Sequence, residues 1–82
     1  MPQGNEYYAK RALRLAESPV NNPTEYFNEA RTIAFPVQKR NLAENNRNYL
    51  GELKECEESG EMGLAKSVMR DLAKDLGINS FK

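Results

Sequence analysis

The side chains best suited to chemistry sit together in ELKECEESGE, residues 52–61. This stretch holds Cys56, Ser59 and the carboxylates Glu52, Glu55, Glu57, Glu58 and Glu61. A thiol nucleophile needs a base to activate it and a third group to orient that base. The chain contains no histidine, and Cys56 follows Leu53 at helical spacing, so a buried structural thiol is expected. The glutamates could form a general acid/base pair or hold a cation. They lack the Asp-x-Asp-x-Asp-Gly loop of an EF-hand, and their spacing scatters them around a helix. A solvated acidic face is the reading they support. Gly60 and Gly63 are too few for a phosphate-cradling loop and have no accompanying P-loop lysine. No catalytic, metal or cofactor-binding residue is assigned, and the chain is expected not to be an enzyme.

Cations and aromatics offer binding chemistry instead. Arg11 and Arg14, with Lys10, form a basic patch in the first forty residues, next to Tyr7 and Tyr8. Lys39 and Arg40 form a second, following Phe35. Lys66, Arg70 and Lys74 fall at i, i+4 and i+8, a stripe along one helix face. Tyr26 and Phe27 make a second aromatic pair. Tyr, Phe and Arg are favoured anchors at protein interfaces, and these twelve residues, Lys10 apart, are the partner-binding candidates. The expected function is a non-catalytic protein–protein interaction module, an assembly subunit or an inhibitor, with self-association among its modes. Small polar helical chains of this kind are common among phage-encoded accessory proteins. The alternative is a small nucleic-acid-binding protein that uses the basic patches of the first and third helices. A nucleic-acid domain usually carries a basic balance, whereas this chain has 12 basic and 12 acidic residues.

The elements that must position these residues come from a chain of 82 residues, long enough for a single small domain with a thin core. Leu, Ile, Val and Phe supply only 16 of the 82, near the level at which chains stay disordered. Zero net charge argues for folding, because disorder usually couples low hydrophobicity with self-repulsion. One cysteine excludes an intramolecular disulfide framework and fits a reducing compartment. MPQGNEYYAK has no apolar core of a secretory signal, and no run approaches the ~18 apolar residues of a membrane span. A cytoplasmic location, alone or within an assembled particle, is expected, with no membrane partner.

An all-α fold of three main helices is predicted, with segments 1–4 and 79–82 as flexible ends. The first helix covers 5–18, where Tyr8, Ala9, Ala12, Leu13 and Ala16 share one face. Asn22, Pro23 and Glu25 open a second helix as N-cap, first-turn proline and capping-box acid. This helix is expected to run over 23–58, kinked or broken at Pro36, whose ring removes the bond to the Thr32 carbonyl. Beyond Pro36, QKRNLAENNRN is polar nearly all round, a solvent-exposed connector. Leu42, Tyr49 and Cys56 at d, with Asn46 and Leu53 at a, give a short heptad pattern. Gly51 weakens the helix or admits a close neighbour. Gly60 ends this helix, and a third follows over 61–76, closed by Gly77 with Ile78 folding back on Ala73. The short turn at 59–63 makes the second and third helices an antiparallel hairpin.

Overall fold

Backbone punctuation divides residues 4–77, the part described by the computed structural model, into four α-helices. They are α1 (Asn5–Glu17), α2 (Pro23–Lys39), α3 (Tyr49–Ser59) and α4 (Met62–Asp75). No strand occurs among the described residues. The all-α class is therefore as the sequence predicts, but the helices number four rather than three. The expected flexible ends, Gly4 apart, and the expected return of Ile78 lie outside the described residues.

The start of α2 follows its local signal closely. The Asn22 side chain accepts hydrogen bonds from the backbone N–H groups of Thr24 (3.0 Å) and Glu25 (3.3 Å), and Pro23 occupies the first helical position. The end of α2 corrects the prediction of one helix over 23–58. The helix passes through Pro36 and continues to Lys39. It stops because Asn41 adopts a left-handed conformation, φ 52°. The Asn41 N–H then bonds the Gln38 carbonyl (3.2 Å) and the Leu42 N–H bonds that of Val37 (3.0 Å). This is the paired closure of a Schellman motif, with asparagine in the place glycine usually takes. Glu44 is also left-handed, φ 53°, and the chain does not become helical again until Tyr49. Residues 40–48 are thus a loop, and the heptad pattern through Leu42 and Asn46 has no continuous helix beneath it.

Asn48 caps α3 by accepting from the Gly51 N–H at 3.0 Å. A Cβ on Gly51 would lie 2.9 Å from Asn48 Cγ, so this glycine makes room for the cap rather than for a neighbouring helix. Gln38 of α2 reinforces the same terminus. Its Nε2 donates to Asn48 Oδ1 and its Oε1 accepts from the Leu50 N–H, both at 3.0 Å. At the other end of α3, Gly60 takes φ 74° and Glu61 N–H bonds the Cys56 carbonyl (3.1 Å). A two-residue connection, Gly60 and Glu61, then leads into α4.

The core explains how so few large apolar residues suffice. Ala9, Ala12, Ala16, Ala30, Ala34, Ala65 and Ala73 are all buried, and small side chains let helix axes approach closely. Tyr49, Phe27, Leu13, Ile33, Leu53, Met69, Leu72 and Val37 fill the space between them. Polar seams show how neighbours run. Arg11 meets Glu29 across α1 and α2 (3.5 Å). Arg31 meets Glu57 at one end of the α2–α3 seam (2.7 Å), and Gln38 meets Leu50 at the other. Residue numbers rise on one helix as they fall on its neighbour, so α2 and α3 are antiparallel. Tyr49 with Asp75 at one end and the Gly60–Glu61 turn at the other make α3 and α4 antiparallel too. The most extensive packing of α4 is against α1, a pairing the sequence did not suggest. The four helices close into a ring in chain order, with α2 and α4 barely touching across it.

Candidate docking surface

The α2–α3 seam leaves a surface groove because the two helices turn different faces to the core. On α2, the turns carrying Tyr26, Phe27, Ala30, Ile33, Ala34 and Val37 face inward. Asn28, Arg31, Thr32 and Phe35 are left along its outer flank. On α3 only Tyr49, Leu53 and Cys56 are buried, which leaves Leu50, Lys54 and Glu57 facing α2 at the surface. Together these seven residues line an open groove of about 900 Å³. Phe35 is 51% exposed, Leu50 is partly buried against the core, and both contribute to the apolar floor.

Cations outnumber carboxylates along the groove, with Arg31, Lys54 and the adjacent Lys39 against Glu57. At the Phe35 end, Lys39 Nζ stands 5.4 Å from the Phe35 ring centroid, a cation–π contact in solvent. At the other end lies Glu57, paired with Arg31, whose guanidinium also donates to Asn28 Oδ1 (2.6 Å). Lys54 flanks the middle.

Two smaller hollows differ in character. One, of about 340 Å³, lies between α3 and α4 and is lined by Glu52, Glu55, Cys56, Ser59, Glu61, Leu64 and Val68. Burial pushes the Cys56 thiol above its ordinary value, and the charges of Glu61, Glu52 and Glu55 push it further the same way. That is the opposite of the electropositive setting that makes a cysteine reactive. The other hollow, of about 320 Å³, lies where α1 passes into α2, beside Tyr26. The Tyr26 hydroxyl is buried and has no hydrogen-bond partner among the described groups. Burial pushes its pKa up to about 12, partly opposed by the nearby Arg70 charge.

The partner-binding candidates divide between surface and interior. Tyr8, Tyr26 and Phe27 are core side chains and offer no free surface. Tyr7 is 41% exposed and packs edge-on against Tyr8. Its hydroxyl accepts from Arg11 (3.3 Å), which also reaches Glu29. Arg14, Lys39, Arg40, Arg70 and Lys74 are exposed, and Lys66 is half-buried. Of the candidates, only Phe35 and Lys39 meet at the groove. Leu50, Lys54, Arg31 and Glu57 were missed, because a continuous 23–58 helix could not bring its own residues 31 and 57 side by side.

A second cluster, also missed, ties the 40–48 loop to the bundle. Arg47 forms a two-pronged pair with Glu52, Nε to Oε2 at 2.7 Å and Nη2 to Oε1 at 2.8 Å. Its Nη1 donates to Asp71 (3.1 Å), and its guanidinium lies 5.4 Å from the Tyr49 ring centroid. Tyr49 donates to Asp75 and accepts from Asn45 (3.1 Å). Burial and the Asp75 bond push the Tyr49 pKa up to about 12. The Arg47 hydrogen bonds hold the Glu52 carboxyl below the usual carboxylate range. These side chains bond to one another across α3, α4 and the loop, so the cluster reads as a clasp for the loop.

Among the described residues no group of His, Cys, Asp and Glu side chains is arranged to hold a metal ion. No helix there is long and apolar enough to cross a membrane. Comparison with protein families, curated proteins and solved structures finds no match to this chain.

Proposed function

We propose that this chain is a non-catalytic protein-interaction module, an assembly subunit or an inhibitor that acts by occupying a partner. The observation that carries the reading is Phe35, half-exposed and lining the α2–α3 groove. On a chain with so little apolar material, an aromatic anchor left at the surface beside a hollow is an expensive use of a core residue. The chemistry-bearing residues support the non-catalytic half: the chain has no histidine, and Cys56 is buried with a raised pKa. The test is affinity capture from the source cells with wild-type and Phe35→Asp baits. A partner retained by the first and lost by the second supports the reading. Equal capture by both baits removes the groove from it.

One observation favours nucleic acid as the second reading. Lys66, Arg70 and Lys74 run along α4, and none is ion-paired with a carboxylate among the described residues. DNA and RNA binding measured across a salt series decides it. Affinity that falls steeply with salt and is lost in Arg70→Glu would replace the first reading, because phosphate contacts release counterions.

A further inference from the structure

We infer that the occupant of the α2–α3 groove is an acidic segment of another protein, with apolar side chains set among its carboxylates; this rests on the groove being an interaction surface at all. Charge is sorted among the hollows of this molecule. The hollow between α3 and α4 is lined by Glu52, Glu55 and Glu61 and by no basic residue. The hollow where α1 passes into α2 is lined by Glu25 and Glu29, again without a basic residue. Of these three, the α2–α3 groove alone is lined by cations, Arg31 and Lys54, with Lys39 beside it. On a chain whose 12 basic and 12 acidic residues cancel, that is a local excess.

The excess is also unmatched within the chain. Glu57, the one carboxylate lining the groove, is held by Arg31 at 2.7 Å. Lys39 and Lys54 are exposed, and neither pairs with a carboxylate among the described residues. The α2 wall, made of Asn28, Arg31, Thr32 and Phe35, adds no acid. Two ammonium groups thus stand beside the apolar surface of Phe35 and Leu50. Carboxylates gain counter-charges in that setting, whereas a basic segment is repelled. Apolar side chains between the carboxylates would cover Phe35 and Leu50.

The dimensions fit a short segment. From Asn28 to Phe35 the wall runs roughly 10 Å along α2, at ~1.5 Å per residue. That is the length of two helical turns, and side chains at i and i+4 of a helix can enter one groove together. Nucleic acid is a poorer match to the same surface. Its binders commonly neutralise ~6–10 phosphates, and two unmatched lysines supply a fraction of that charge.

Selection from a random dodecapeptide library displayed on yeast, with the full chain as target, tests this. Enriched peptides should be net negative and carry apolar residues one helical turn apart. Fluorescence anisotropy of the most enriched peptide then gives affinities. Lys39→Ala and Lys54→Ala should each raise its dissociation constant ~2–5-fold, and Phe35→Ala about tenfold or more. Lys74→Ala, on α4 away from the groove, should leave it unchanged. All four substituted residues are exposed, and a thermal melt of each variant checks that the fold is kept. Reversal of both groove lysines, Lys39→Glu with Lys54→Glu, should turn the selection toward basic peptides. Enriched peptides that are neutral or basic, yet lose affinity in Phe35→Ala, overturn the acidic ligand and leave the groove an interaction surface. No enrichment, or binding indifferent to Phe35→Ala, overturns the inference; equal capture by wild-type and Phe35→Asp baits would sink the groove reading with it. Binding of dodecathymidylate that is lost in Phe35→Ala would assign the groove to nucleic acid instead. Self-association lost in the same variant, read by sedimentation, would assign it to a second copy.

Discussion

Arg47→Ala is the substitution whose cost the structure lets one work out in parts. Arg47 is the central cation of the clasp, and its side chain is 31% exposed. The two-pronged pair with Glu52 is worth about 1 kcal/mol, at the upper end for ion pairs that keep some contact with water. The single bond to Asp71 adds about 0.5 kcal/mol, and the contact with the Tyr49 ring about 0.5 kcal/mol. The total is about 2 kcal/mol. For a chain of this size, each kcal/mol moves the melting temperature by ~4–8 °C, so a fall of about 8–16 °C is expected. Thermal melting followed by circular dichroism at neutral pH and low salt is the assay. Arg47→Lys keeps the charge but loses the fork that matches a carboxylate, and should recover less than half of the loss. A fall of under about 3 °C in Arg47→Ala would refute the reasoning. The loop would then be held by Leu42 and Ala43 against the core, with the clasp idle on the surface.

The remaining substitutions and conditions probe other parts of the molecule. Tyr26→Phe removes a buried hydroxyl without a partner and should stabilise the fold by up to about 1 kcal/mol in urea unfolding; a loss of that size would reveal a bond to the hydroxyl. Glu52 has a folded-state pKa below its unfolded value, so its stabilisation is complete above about pH 4.5 and is lost as pH falls through the lower value. Melting temperature should therefore drop as pH falls below about 4.5, and the drop should be smaller in Glu52→Gln, where no carboxylate remains at that position to titrate. Pro36→Ala restores an N–H to bond the exposed Thr32 and should stabilise α2 by about 1 kcal/mol after the loss of proline's rigidity in the unfolded chain. Capture of a partner through the groove should not change, because the groove is placed by the Asn41 closure and the Gln38 bonds rather than by the proline ring.

Local signals in the sequence were legible where one residue type does one job. Asn22 and Pro23 open α2, Gly60 closes α3, and the apolar stripes of α1 and α4 lie inward. The break at 40–48 was hidden because asparagine does two jobs in it. Asn41 ends α2 by accepting a left-handed conformation, a role that glycine signals far more plainly. Asn48 opens α3 as a cap, yet within a run of similar polar residues it reads as one more solvated position. The misplaced break also hid the groove and the clasp. Arg31 with Glu57, and Arg47 with Asp71, are pairings of tertiary structure that no spacing along a single helix encodes. Pro36 drew the eye away from the true boundary. Its missing N–H falls opposite the carbonyl of Thr32, an exposed residue, and the helix ends within a turn in any case.

Local opening should be easiest at α3. This helix has 11 residues and places only Tyr49, Leu53 and Cys56 in the core, too little to be stable by propensity alone. Its last turn carries Glu57 and Glu58 and no basic residue, which opposes the helix dipole. What holds it are its edges: Gln38 and Asn48 at the start, Arg31 at Glu57, and the clasp toward α4. Amide hydrogen exchange should therefore be faster in α3 than in α1 and α4. Exchange equally slow in all four helices would mean that the capping bonds and the clasp hold α3 as firmly as burial holds the rest of the bundle.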